Sequence, residues 1–216
     1  MLTFDHLAIA AESLDEGAAA VEAALGVALG PGGEHAAMGT HNRLLSLGPG
    51  EYLEVIAINP AAPAPGRPRW FGLDGFAGAT RPQCWIARSD DLPGALAAAP
   101  AGIGVPIHFS RGNFEWEMAV PDSGILPFDG LFPALIGWHS QAHPADALPD
   151  AAPDVGRAGW RRSATSGRRV RVWVMRCSGR WLWSGPANAA RLRQQGNPPG
   201  AICGEAHCPC AASCAD

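Results

Sequence analysis

Lysine is absent from this chain of 216 residues: all 16 basic residues are arginine, tyrosine occurs once, and charged residues make up only 17%. Without lysine there is no P-loop. The glycine-rich stretch Gly30-Pro31-Gly32-Gly33, read as a loop, also lacks GxGxxG spacing, so a nucleotide cradle is excluded there. No apolar run reaches the roughly 18 residues of a membrane-spanning helix. The N-terminus, MLTFDHLAIAAESLDE, meets acidic residues at once and has no basic stretch ahead of an apolar one, unlike a secretory leader. A soluble, cytoplasmic protein with no membrane partner is the expectation. What remains is 47% hydrophobic, enough for a core in one domain or in two fused small modules.

Charge and aromatic usage divide the chain near Asp150. Residues 1–150 carry 6 Arg against 17 Asp or Glu, a balance of −11, whereas residues 151–216 carry 10 Arg against 3 acids, a balance of +7. All 7 Phe and the single Tyr precede position 133, while 5 of the 6 Cys and half of the 8 Trp follow position 159. The two parts differ in kind.

The first part reads as one unit used twice. LAIAAESLDEGAAAVEAALGV (7–27) and CWIARSDDLPGALAAAPAGIGV (84–105) share an order of short apolar strand, polar cap, Ala-rich helix and glycine exit, offset by 77 residues from Ile9 to Ile86. Ser13-Leu-Asp-Glu16 is a capping box and Gly26 a helix stop; in the second copy Ser89 or Asp90 caps and Pro93 falls in the first turn. NRLLSLG and EYLEVIAI follow the first helix. IHFS, FEWEMAV and LFPALIGW follow the second, so the pattern is βαβββ twice. This divides the chain into modules at 1–75 and 76–148 and a tail at 149–216.

Several polar residues stand among these apolar strands. A carboxylate such as Glu54 in EYLEVIAI costs several kcal/mol to bury unpaired, so it is either functional or half of a structural ion pair. His6 in FDHLAIA is a ligand or a satisfied core histidine, and His35 a cleft group or a solvated loop residue. Thr40 and Asn42 either face a ligand or cap their own turn. Arg111 is a surface charge, or a fork for a substrate carboxylate. Trp70, Trp116 and Trp138 read most simply as core.

The repeat, His6 and Glu54 together resemble the vicinal oxygen chelate superfamily (glyoxalase, bleomycin-resistance and dioxygenase proteins), and within it the glyoxalase-like domain proteins. Their pattern GGxHxxxGTxN followed by YxE is matched by Gly32-Gly33, His35, Gly39-Thr40, Asn42, Tyr52 and Glu54; WFGLD (70–74), Ser110-Arg111 and PALIGW with His143-Pro144 add to it over about residues 3–148. The resemblance implies an α+β fold of paired βαβββ modules forming a cupped, barrel-like cleft of mixed sheet, here expected to be incomplete at the C-terminus. It also implies a divalent metal (Zn, Mn, Fe, Ni or Co) that binds two neighbouring oxygens of a small molecule, in an isomerase, lyase or dioxygenase, and a homodimer. On that reading His6, Glu54 and His41 hold the metal, Glu54 and His35 are catalytic, and Thr40, Asn42 and Arg111 bind substrate. Aligning the modules puts Gln83 opposite His6 and Ala134 opposite Glu54, so two ligands of the superfamily pattern are missing. His41, His35, Glu115, Glu117 or His108 would have to complete the set.

The tail lacks Phe, Tyr and Lys and is rich in Arg, Gly, Ala, Trp, Cys and Pro, the usage of GC-rich DNA read out of frame. A change of frame near Pro149 is the leading expectation, giving a poorly ordered or non-native segment. The others are a zinc knot of Cys203, His207, Cys208, Cys210 and Cys214, whose spacing matches no paired CxxC, and a basic nucleic-acid contact, which no recognition motif supports. VRVWVMRCSGRWLW reads as one alternating strand. No nucleic acid partner is expected. Three functions follow: a metal-dependent enzyme, a metal-free module that binds or sequesters a small ligand, or an inactive product.

Overall fold

The structure, a computed structural model, describes residues 1–149 and, beyond them, only the backbone of four short strands. Two runs follow one plan. In the first, β1 (Thr3–Ala10) leads to α1 (Leu14–Leu25), β2 (Gly30–His35), β3 (Thr40–Gly48) and β4 (Glu51–Ile58). In the second, β5 (Arg81–Arg88) leads to α2 (Leu92–Ala97), β6 (Val105–Arg111), β7 (Phe114–Val120) and β8 (Ala134–Trp138). All eight strands form one mixed sheet in the order β2-β3-β4-β1-β5-β8-β7-β6. β1 runs parallel to β4 and β5 parallel to β8, and the two halves join where β1 and β5 pair antiparallel. The sheet curls until its outer strands, β2 and β6, approach one another. This is the α+β fold of paired βαβββ modules around a cleft.

Side-chain alternation decides what faces the cleft. Leu7 and Ile9 of β1 and Leu53 and Val55 of β4 turn to α1, where they bury Ala18, Val21 and Leu25. Ala8 and Ala10 of β1 and Ile56 of β4 turn the other way and join the core beneath the cleft with Ile86, Ala134 and Ile136. Each fully buried Leu or Ile contributes roughly 1.5–3 kcal/mol.

The helix signals hold with one change. Ser13 Oγ accepts from the Glu16 N–H at 3.5 Å, and Gly26, at φ +76°, closes α1 with its N–H on the Glu22 carbonyl. The second helix is capped by Asp91, not by Ser89 or Asp90: Asp91 Oδ1 accepts from the Gly94 N–H at 2.9 Å. Ser89 instead bonds both backbone groups of Asp91, which turns the chain into the cap.

The glycine run read as a loop is strand β2. Gly33 pairs with Asn42 and His35 with Thr40, and a Cβ at Gly32 would collide with the Asn42 carbonyl. Here glycine marks close backbone approach rather than a turn.

Beyond residue 149, β9 (Arg161–Arg162) pairs with β10 (Arg169–Val170), and β11 (Trp173–Cys177) with β12 (Arg180–Ser184). The segment expected as one strand therefore contains an antiparallel pair, with Cys177 opposite Arg180. The cysteine-rich segment at 203–214, the frame change near Pro149 and the nucleic-acid reading lie outside the described residues. Among those described, no helix is long and apolar enough to cross a membrane.

Candidate functional site

Adjacent in the sheet, β1 and β4 carry His6 and Glu54 to the cleft. His6 Nε2 lies 3.6 Å from Glu54 Oε1, and the His6 ring stacks on Tyr52 with centroids 4.2 Å apart. On the other side of the imidazole, Nδ1 meets Asp5 Oδ1 at 2.5 Å. Strict alternation would send Asp5 to the opposite face from His6. A register shift between Phe4 and His6, where β1 pairs with β5, turns Asp5 inward instead.

Asp5 is fully buried and joins the two halves of the sheet. Its Oδ2 accepts from Trp138 Nε1 at 2.9 Å and from His143 Nε2 at 3.2 Å, with Arg88 Nη1 at 3.5 Å. His143 also caps α3 (Pro127–Gly130)'s successor, the short helix α4 (Pro144–Ala147), through Nδ1 on the Ala145 N–H, which leaves Nε2 as the donor to Asp5.

Burial raises a carboxyl and lowers an imidazole, but here the partners outweigh it. Hydrogen bonds from His143 and His6 hold Asp5 well below the usual carboxylate range. Asp5 and Glu54 raise His6 to about 9, and His6 in turn keeps Glu54 below its ordinary value. At neutral pH the centre is an imidazolium between two carboxylates. Burial and the same two negative charges keep the Tyr52 hydroxyl protonated.

A second network begins at Glu54. Asn42 Nδ2 donates to Glu54 Oε2 at 2.8 Å, while Asn42 Oδ1 accepts from the Gly33 N–H at 2.9 Å and from Arg111 Nη1 at 3.3 Å. Arg111 Nη1 also donates to His35 Nε2 at 3.1 Å. An arginine only donates, so His35 Nε2 accepts and its Nδ1–H goes to Thr40 Oγ1 at 3.1 Å. Burial, together with the Arg111 charge, lowers His35 to about 4 against the pull of Glu54, in agreement with a neutral ring. Gly33 gives the arginine room: a Cβ there would lie 2.8 Å from Arg111 Cδ. Arg111, on β6, thereby bridges the two outer strands.

The remaining wall is apolar. Trp116 and Met118 of β7 and Ile136 and Trp138 of β8 line it, and Trp70 and Phe71 close one end. Trp70 is 3% exposed, and its indole N–H is buried without a hydrogen-bond partner among the described residues. Trp70 and Trp116 are thus core and cleft lining at once, and Trp138 is a donor to Asp5 as well.

Of the residues singled out from sequence, the structure brings together His6, His35, Thr40, Asn42, Glu54 and Arg111. His41 is half-buried and alternates away from its buried neighbours Thr40 and Asn42 on β3; it does not line the cleft. His108, Glu115 and Glu117 alternate with the cleft-side residues Phe109, Trp116 and Met118, so they face outward and cannot complete a cleft ligand set. Gln83 donates to the Phe71 carbonyl at 2.8 Å, and Ala134 is fully buried. Asp5 was the residue sequence reasoning missed, and a carboxylate next to a strand histidine was its signal.

For a divalent metal, the described residues offer two ligand atoms in the cleft, His6 Nε2 and Glu54 Oε1, which are paired with each other, so a metal would have to displace the imidazolium proton; Asp5 stands behind the imidazole as an orienting carboxylate. His35 Nε2 and Glu54 Oε2 are already engaged by Arg111 and Asn42. Two donors fall short of the roughly three that a catalytic site takes from its protein, so the described residues do not by themselves fit a tightly held ion.

A family model described as a glyoxalase-like domain matches residues 4–166, some way past the stretch over which the motifs run. No curated protein matches the chain. Among solved structures, a hypothetical protein from Staphylococcus aureus is similar at 12% identity and TM-score 0.52, over 89% of each chain, and shares the fold. A methylmalonyl-CoA epimerase from Mycobacterium tuberculosis matches at 18% identity and TM-score 0.41, over 62% of this chain and 85% of its own. A hypothetical protein from Bacillus halodurans matches at 13% and 0.44, over 66% and 98%.

Proposed function

The chain belongs to the glyoxalase-like domain family, and on that premise we propose that the cleft between residues 1–75 and 76–148 binds a small molecule with neighbouring oxygens, without needing a resident metal. The observation that carries this reading is the buried N–H of Trp70, unpartnered among the described residues, on a side chain that lines the cleft together with Arg111. A buried donor left without a partner costs roughly 1–3 kcal/mol, which an acceptor oxygen on a ligand recovers. Arg111 supplies charge to a ligand carboxylate or enolate, and Thr40, Asn42 and His35 hold the arginine and Glu54 in place. The apolar wall of Trp116, Met118, Ile136 and Trp138 takes the ligand's carbon skeleton. Glu54 is the group placed to accept a proton from that ligand.

A second reading keeps the metal of the family resemblance, favoured by the way His6 Nε2 and Glu54 Oε1 face each other with Asp5 behind. Zn, Mn, Fe, Ni or Co bound there would act as a Lewis acid towards the substrate oxygens. Its remaining ligands would come from the substrate or from outside the described residues. Elemental analysis of the purified chain, run beside thermal-shift binding of small α-hydroxy and α-keto acids, separates the two. Binding that survives chelation and weakens about tenfold or more in Trp70→Phe and Arg111→Lys supports the metal-free cleft. Stoichiometric metal that is lost in His6→Ala and Glu54→Gln overturns it in favour of the enzyme.

A further inference from the structure

On the outer face of the sheet, away from the cleft, three adjacent strands bring a second donor set together. His108 of β6 and Glu117 of β7 are direct cross-strand partners, and Glu117 in turn pairs with Gly137 of β8, two residues before His139. His108, Glu117 and His139 each offer a ligand atom, and the three lie within 4.8 Å of one another. Glu117 Oε2 is 3.1 Å from His139 Nε2, and Glu115 Oε1 is 3.4 Å from His108 Nε2. We propose that His108, Glu117 and His139 form a zinc site on this face, independent of the cleft, with Glu115 or water as the fourth ligand.

Two imidazoles and a carboxylate, with one position open, suit a tetrahedral borderline cation; an oxygen-only cluster would favour a hard one. The set is held by backbone rather than by mobile loops. His108 and Glu117 sit inside paired strands, and the segment after β8 is stitched to β7: the N–H groups of His139 and Ser140 both donate to the Glu115 carbonyl, and Ser140 Oγ accepts from the Glu115 N–H. The two His–Glu contacts show that the side chains already converge without strain on the backbone.

The test is a calorimetric titration of the full-length chain with Zn²⁺ near neutral pH. The starting protein carries Glu54→Gln to weaken the cleft pair, and Cys177→Ser, Cys203→Ser, Cys208→Ser, Cys210→Ser and Cys214→Ser to remove the thiols of the tail. One equivalent of Zn²⁺ is expected to bind, and to be lost on adding either His108→Ala or His139→Ala. All three side chains are exposed or half-buried, so circular dichroism should show the fold retained in these variants. No binding in the starting protein, or binding that persists in both histidine variants, overturns the site. Because Glu54 is already altered, failure here leaves the reading of the cleft untouched.

Discussion

The two walls of the cleft are built on one backbone plan and filled in opposite ways. On the module-one side, β1, β3 and β4 present His6, Asn42 and Glu54 in a continuous network that ends at Asp5 and at Thr40. On the module-two side, β7 and β8 present Trp116, Met118 and Ile136, and only Arg111 at the far edge brings charge into the cleft. The difference teaches what a buried charge demands. Every charged group on the polar wall has a partner of opposite sign or a hydrogen bond, and the network's terminal carboxylate, Asp5, is satisfied by Trp138 and His143 from the other half. One wall can be apolar because its few polar atoms serve the other.

The strongest way to break this comparison is Asp5→Ala. That change leaves the His6 imidazolium with one carboxylate at 3.6 Å and strips Trp138 Nε1 of its acceptor. Removing one member of a buried ion pair costs about 3–5 kcal/mol, so urea unfolding should show a loss of that size. A loss below about 1 kcal/mol, the range of an exposed pair, would mean that Asp5 does not tie the halves together.

Protonation sharpens the comparison further, because only the polar wall titrates. In the fold His6 keeps its proton up to about pH 9, whereas the unfolded chain releases it near 6.5. The stabilisation is therefore present in full below pH 6.5 and is lost as the pH rises through 9; it is on the order of 3 kcal/mol. Acid acts through Glu54 and His35. Glu54 is held below its ordinary value, so its contribution is present above that value and fades as the pH falls. His35 refuses its proton down to about 4, so between 6.5 and 4 the unfolded chain binds the extra proton and stability drops. Unfolding midpoints measured across pH should therefore peak near pH 6.5 and fall on both sides, and His6→Gln should remove the alkaline limb. An alkaline limb that is unchanged in His6→Gln would show that His6 is not the protonated member.

Much of this was legible from residue order. The repeat, the capping residues of α1 and the polar positions in EYLEVIAI and GTHN follow from periodicity and spacing, because those signals are local. The misses have nonlocal causes. Gly30-Pro31-Gly32-Gly33 carries loop-forming residues, yet it is a strand because the Asn42 backbone passes too close for any side chain at Gly32. Asp5 was hidden by a register shift against β5, a strand more than 75 residues away in sequence. The outward aim of Glu115 and Glu117 follows from the phase of β7, which is set by Trp116 and Met118 packing into the core.

His41 gives the smallest effect and the cleanest control. It stands between Thr40 and Asn42, two residues of the polar network, and pairs with Ala57 on β4 and Glu34 on β2, but its side chain points to the other face of β3. His41→Ala should change stability by no more than about 0.5 kcal/mol, as a surface substitution does, and should leave metal content and small-acid binding unaltered. A His41→Ala protein that loses bound metal would place His41 in the ligand set after all. That result would require β3 to shift register by one residue, which would also expose Asn42 and break its 2.8 Å bond to Glu54.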